Sequence, residues 1–392
     1  MIEHPVLITI FLLMIEITVL AFAGQERFKK YFQFLPSIFW IYFLPMLAST
    51  LGWIAVKSPV YQAAADYLLP ASLFLLLVTV DIKAIARLGR LALLMFFVGS
   101  AGIVFGAPLV FFVFKDWVGR EMGPGFGALA GSWTGGSANM IAVKEAMGTP
   151  DEIFLPMVIV DTVVPYVWMG TLVALVTLQP YFDRWSRPRS DILDHLGKRV
   201  SGITVSKAAP LRWYAVLVFV MMAGLTTAGA RFLGQHLPVI KNVMSAYTWT
   251  IMIVSTAGIV FSFTPLKTLG NFGAAKAGYF LLYFVLTTIG AKANVSHVGT
   301  AFALILAGFC LVFFHAAILT VAAKLLRAPM FLVAVASQAN IGGVASAPVV
   351  AEIYQPGLAS VGLLLAICGN IVGTYLGIAA GQLCRLVSGG PL

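Results

Sequence analysis

The strongest constraint on this chain is a succession of apolar runs, each of about bilayer-spanning length. They fall roughly at 5–23, 36–56, 64–82, 91–114, 125–147 and 153–180, then at 211–233, 244–263, 275–291, 299–323, 330–353 and 358–384. A transmembrane helix needs about 20 predominantly apolar residues, so these twelve runs use up most of the sequence. Composition closes the alternatives: 60% of the 392 residues are hydrophobic and 10% are charged, where a soluble domain carries about a quarter charged. A soluble enzyme, a nucleic-acid-binding domain and a disordered chain are excluded. The chain reads as an all-α polytopic membrane protein. Pro5 to Ala23 is long enough to span and follows no basic n-region, so it reads as a crossing and not as a cleavable signal peptide.

The polar stretch from Asp183 to Arg212 divides the runs into two sets of six and contains Arg184, Arg187, Arg189, Lys198, Arg199 and Lys207. The expected organisation is a first membrane repeat over 1–182, a cytoplasmic basic linker over 183–210 and a second repeat over 211–392. The halves align at a shift of about 207 to 209 residues: Leu77–Lys83 on Leu286–Lys292, Thr134–Asn139 on Ile341–Ser346, and Glu145 on Glu352. Each match alone is weak, but their agreement in order points to duplication.

If all runs cross with the N-terminus inside, 15 basic residues face the cytoplasm and 10 do not. If instead each Gly-Gly run is broken or re-entrant, each half has five crossings. An outside N-terminus then places 17 basic residues in the cytoplasm, including Lys29, Lys30 and the linker, against 7 outside, with Lys144 left in the hairpin. The second count obeys the positive-inside rule better and makes the halves antiparallel. Inverted repeats with broken helices and a site near the midplane are common in secondary transporters. The net charge of +10 is then mainly a matter of topology.

Two stretches inside the apolar runs carry polar chemistry. Gly131–Asn139 contains Thr134, Gly135, Gly136, Ser137 and Asn139; its counterpart contains Ser337, Gln338, Asn340, Gly342, Gly343 and Ser346. Unwound backbone at membrane depth is tolerated only inside protein or along a wet cavity. There, carbonyl and side-chain oxygens can hold Na⁺, and half-helix N-termini can face an anion. The plainer reading is close helix packing through small residues. Glu352 is the one acidic side chain after Asp194, read either as cation-linked or as a helix-end carboxylate at the surface. Asp161 and Asn370 lie within the following apolar runs. Thr79 and Thr288, at matched positions, either face the site or bond their own helix carbonyls.

Glu16 sits within the first run and His315 within the tenth, the latter read as a packing or hydrogen-bonding residue. The five histidines, His297 among them, are too scattered for a transition-metal site. Cys310, Cys368 and Cys384 show no metal or disulfide spacing. No G-x-S-x-G, H-E-x-x-H or Walker motif is present, so neither an enzyme nor an ATP-driven pump is expected.

Gly131-Ser-Trp-Thr-Gly-Gly-Ser-Ala-Asn139 with Lys144-Glu145, Asp161-Thr162 with Pro165, and Ser337-Gln-Ala-Asn-Ile-Gly-Gly343 together resemble domain-of-unknown-function family 819 of bacterial and plastid membranes. The resemblance covers nearly the whole chain. It implies membership of the superfamily of cation:proton antiporters and of bile-acid, glutamate or citrate sodium symporters. It further implies a core domain with two broken elements, a separate panel domain, elevator-like movement and a homodimer. Antiporters of that superfamily carry adjacent acids in a core helix, and no Asp-Asp pair occurs here.

The functional expectation is Na⁺-coupled or H⁺-coupled symport of a small organic anion, amino acid or short peptide across the bacterial inner membrane, a plastid membrane being the alternative. Glu352, Gln338, Asn340, Asn139 and Ser137 are the candidate ion ligands. Thr134, Gly135, Gly136, Gly342, Gly343, Ser346 and Asn370 are the candidate substrate contacts, with Asp161 and Glu145 for coupling. No cofactor beyond a coupling Na⁺ is expected, and the expected partners are the small-molecule substrate, the lipid bilayer and a second copy of the chain. A cation/proton antiporter or organic-acid exporter is the alternative; an intramembrane enzyme on a lipid-linked substrate lacks a nucleophile–base set.

Overall fold

The computed structural model describes residues 1–28, 31–32, 37–200, 211–240, 244–292 and 301–389. Lys29, Lys30, Lys207 and His297 lie outside the described residues. In hydrocarbon every backbone N–H and C=O must be satisfied within the segment, and the apolar runs accordingly become helices. In chain order these are α1 (Pro5–Ala23), α2 (Ser37–Thr50) and α3 (Pro59–Val78), then the short α4 (Ile82–Ala86) and α5 (Gly89–Val118). The first Gly-Gly run is α6 (Gly123–Gly135) and α7 (Ser137–Ala146), followed by α8 (Asp151–Leu175). The polar linker contributes α9 (Gln179–Ser186) and α10 (Ile192–Val200). The second half holds α11 (Val216–His236), α12 (Ala246–Ser262), α13 (Ala274–Lys292) and α14 (Ala301–Leu326). It closes with the broken pair α15 (Met330–Ile341) and α16 (Gly343–Tyr354), then α17 (Ala359–Ser388).

Among the described residues eight helices are long and apolar enough to cross a membrane, and α12 with the turn after it, bent by 96°, is a candidate ninth. The protein is an integral, all-helical membrane protein; among the described residues the β-structure is two isolated bridges, Ile2 with Ile54 and Ile240 with Met244. The 36–56 run yields only 14 helical residues in α2 because the chain turns at Gly52, where φ is 75°, a conformation cheap only for glycine.

The helices sort into two compact units. One comprises Met1–Thr79, Lys144–Thr162 and Ala208–Ala301, and so contains α1–α3 and α11–α13. Here Gly258 of α12 and Gly278 of α13 meet α3, and Gly290 meets the Tyr42 backbone of α2. Glu16 is fully buried in this unit, and neither carboxyl oxygen has a hydrogen-bond partner among the described residues. Lys144 is buried as well and holds Glu145 at 2.7 Å and Asp151 at 2.6 Å, with Lys292 on Asp151 at 3.3 Å. Mutual pairing is what makes buried charges tolerable.

The other unit comprises Val80–Val143, Val163–Lys207 and Phe302–Leu392. It holds nearly all of both broken helices, together with α5, α10, α14 and α17. The linker helix α10 is amphipathic: Leu196 and Val200 are buried, and His195, Lys198 and Arg199 are exposed. That division is typical of a helix at an interface and not across a membrane.

Candidate functional site

Both breaks lie in the second unit, and the packing of α6 on α17 positions them. Gly127, Gly131 and Gly135 recur every fourth residue on α6, as do Gly369, Gly373, Gly377 and Gly381 on α17. The two stripes face each other. A methyl group built on Gly373 would lie 2.6 Å from Cα of Gly135, and one on Gly377 2.6 Å from Cα of Gly131. One on Gly127 would lie 2.5 Å from Cα of Gly381. The helices therefore meet backbone to backbone, a small-xxx-small contact in which dispersion replaces the hydrophobic drive that lipid cannot supply. The sequence reading missed this stripe, although its four-residue spacing is visible in both runs.

The first break is at Gly136, where φ is 83° and ψ is 175°, a region essentially reserved for glycine. Asn139, in the first turn of α7, donates from Nδ2 to the Gly135 carbonyl at 2.5 Å and accepts on Oδ1 from the Thr374 hydroxyl of α17 at 2.5 Å. Thr134 donates to its own helix at Ala130. Three of the expected site residues stand otherwise: Gly136, Ser137 and Asn370 are half-buried, and the Asn370 oxygen faces Gly136. Neither the Ser137 hydroxyl nor the Asn370 amide is hydrogen-bonded among the described residues.

The second break falls at Gly342–Gly343, with φ of 61° at Gly343. Gln338 reaches across it and donates from Nε2 to the Ser346 hydroxyl at 2.7 Å. Gly342 lies beneath that bond, and any Cβ there would strike both partners. Oε1 of Gln338 is buried with no hydrogen-bond partner among the described residues, a costly state for an amide oxygen in a dry interior. The half-buried Gly342 and Gly343 contrast with the buried residues of α15 that precede them. Both α15 and α16 pack on α6.

Upstream of the break, α15 is anchored by two polar clusters. Asn340 donates to the carbonyls of Phe96 at 3.2 Å and Ala336 at 2.9 Å, and accepts from the Ser100 hydroxyl at 2.7 Å. His315 lies 2.8 Å by Nδ1 from the Gly99 carbonyl and 3.0 Å by Nε2 from the Ser337 hydroxyl. A carbonyl only accepts, so Nδ1 carries the proton and Nε2 accepts from Ser337. Ser337 in turn accepts from Nε1 of Trp168 at 2.9 Å. His315 is thus a hydrogen-bonding core histidine. Ser100 and Trp168 lay outside the sequence reading, since no local pattern marks the partner of an amide 240 residues away.

The remaining candidates are placed elsewhere. Glu352 is exposed at the end of α16, and its carboxylate accepts from the Gly357 N–H at 3.1 and 3.0 Å. This is the surface helix-end placement, apart from the buried Gln338 and Asn340 with which it had been grouped. Glu145 is paired with Lys144, and Asp161 is half-buried within α8; both belong to the first unit. Thr79 and Thr288 bond their own helix carbonyls, at Leu76 and Val285.

Residues 11–387 match the family described as protein of unknown function (DUF819). The chain is also similar to "Uncharacterized membrane protein YjcL" of Bacillus subtilis (strain 168), 25% identical over 346 residues that cover 85% of this chain and 86% of that protein. Because the family match runs over nearly all of the spanning helices, the chain belongs to the DUF819 family of membrane proteins.

Proposed function

We propose that this membrane protein is a secondary active transporter, coupled to Na⁺, whose cargo is a small organic anion, amino acid or short peptide. The observation that carries the reading is the pair of helix breaks in one compact unit, where Oε1 of Gln338 is buried without a partner among the described residues and Ser137 and Asn370 are half-buried. Na⁺ is dehydrated into cages of carbonyl, amide and hydroxyl oxygens, and a cation bound there favours a carboxylate beside it. Half-helix N-termini at α7 and α16 add N–H donors for the same anion.

Duplicated halves, three helices of each in the first unit and one broken helix of each in the second, support an inverted-repeat transporter with core and panel domains and elevator-like movement, placed in the bacterial inner membrane as a homodimer. Coupling requires the ion to bind the substrate-competent conformation better than the other. The test is a thermal-shift titration of the purified protein with Na⁺, Li⁺ and K⁺ and a metabolite panel, followed by proteoliposome uptake under imposed gradients. Na⁺-specific stabilisation that Gln338→Leu abolishes supports the reading. Uptake of a confirmed substrate that ignores a Na⁺ gradient rejects it.

A second reading, proton-coupled exchange, is favoured by the buried carboxyl of Glu16 and by Asp161 inside α8, because acids within spanning helices commonly mark proton paths. Glu16→Gln and Asp161→Asn, measured separately, would each remove pH dependence of uptake if they carry the proton. Unchanged pH profiles in both variants reject this reading.

A further inference from the structure

A cavity of about 500 Å³ in the second unit lies where α5 begins and α14 ends, with α10 across it. Three separate elements contribute an arginine to its lining: Arg90 from the first turn of α5, Arg199 from α10, and Arg327 from the turn after α14. None of the three forms an ion pair among the described residues. Arg189 and His195 also line it, and both lie against the one Asp191 carboxylate, at 2.9 and 3.3 Å. The Arg189 guanidinium holds the Asp191 carboxyl below the usual carboxylate range, so that acid is charged and already engaged.

The electrostatics of the α5 terminus point the same way. The helix starts at Gly89 with a φ of 79°, its N-cap residue Leu88 offers no side-chain acceptor, and its first turn has no acid. The positive end of a 30-residue helix thus meets two cations, since the Arg199 guanidinium rests directly on Gly89, leaving no room there for a Cβ. Cations at a helix N-terminus are unfavourable unless an anion joins them. Arg327 adds a cost of its own: it ends α14 with φ of 52°, a left-handed position for which glycine is the unstrained choice. Basic residues that only set topology need not converge; these converge on one cavity, beside an apolar wall that includes Leu196 and Leu332.

We propose that this cavity binds the phosphate of an anionic phospholipid headgroup, with Arg90, Arg199 and Arg327 as its ligands. Spanning helices end at the membrane interface, where basic pockets between helices take anionic headgroups. The apolar wall suits a glycerol backbone and acyl chain, which free phosphate lacks. The proposal is independent of what the protein transports.

The test is native mass spectrometry and thermal unfolding of the full chain in neutral detergent, titrated with phosphatidylglycerol, with phosphatidylcholine, and with inorganic phosphate. Phosphatidylglycerol alone should be retained and should raise the unfolding midpoint. Arg90→Gln with Arg199→Gln should weaken its apparent affinity about thirtyfold, whereas Arg120→Gln, at the other end of α5, should leave it unchanged. If the double variant does not fold, Arg199→Lys carries the test, because it keeps the charge but loses the planar fork that fits a phosphate; weaker phosphatidylglycerol binding supports the site. Unchanged binding in the folded variants overturns the site. Equal stabilisation by inorganic phosphate, or by phosphatidylcholine, overturns the lipid assignment.

Discussion

At the α6–α7 break the flanking amide, Asn139, is tied at both ends, to the Gly135 carbonyl and to the Thr374 hydroxyl of α17. At the α15–α16 break the flanking amide, Gln338, is tied at one end only, and its oxygen is buried without a partner among the described residues. Both segments carry the same Gly-Gly signature. In the first, the glycine stripe holds the backbone against α17, and the half-open groups are Ser137 and Asn370. In the second, the anchoring is displaced upstream to Asn340 and Ser337, which leaves the break itself with an acceptor to offer. The two breaks therefore differ in their amides: one is tied at both ends, and the other keeps a buried oxygen without a partner among the described residues.

The largest effect should come from crowding the first break. Gly373→Val would force side-chain atoms into the Gly135 backbone and should cost about 3 kcal/mol, read as a lowered unfolding midpoint in detergent. Wild-type stability would mean that α6 and α17 are not in backbone contact. Next, Asn340→Leu takes the Nδ2 donor from the Phe96 carbonyl and the Oδ1 acceptor from the buried Ser100 hydroxyl, and should cost about 2 kcal/mol by the same measurement. A loss below that of Gln338→Leu would reverse the assignment of which amide anchors α15.

Gln338→Leu sharpens the comparison most, because it should separate stability from function. It removes the Nε2–Ser346 bond but also a buried oxygen that has no partner among the described residues, so the two changes offset and the stability change should stay below about 1 kcal/mol while Na⁺-dependent stabilisation disappears. Ser137→Ala should leave the midpoint within about 0.5 kcal/mol and weaken ligand stabilisation only partly; a stability loss above that would show the hydroxyl to be structural. The smallest effect belongs to Glu352→Gln, an exposed group bonded to Gly357. It should leave both ion stabilisation and uptake unchanged, and a variant without activity would return Glu352 to the site.

Much of the fold was legible locally. Pro5–Ala23 is helix over the residues read from hydropathy, the 330–353 run is helix over Met330–Tyr354, and both Gly-Gly pairs are where the helices break. Hydropathy works here because a lipid-facing segment must be apolar and must satisfy its own backbone. The site was less legible. Glu352 drew attention by its scarcity, but scarcity says nothing of burial, and the helix end carries it to the surface. His315 looked like a solitary polar residue and proves to be the middle of a chain from Trp168 to Gly99.

What the sequence by itself determined is the solvent of this protein, its all-helical character, the places where two helices break, and its family; it overcounted the crossings, since eight helices of spanning length, or nine with the bent pair, stand among the described residues where ten were expected. What only the tertiary structure decided is which polar groups at those breaks are already bonded. The reason is physical. Hydropathy and glycine act on the backbone within a few residues, whereas the bonds of Asn139 and Asn340 join residues 235 to 244 positions apart. The Asn139 bond forms only once the facing glycine stripes let α6 and α17 approach to backbone distance, and the Asn340 bonds only once α15 packs on α5.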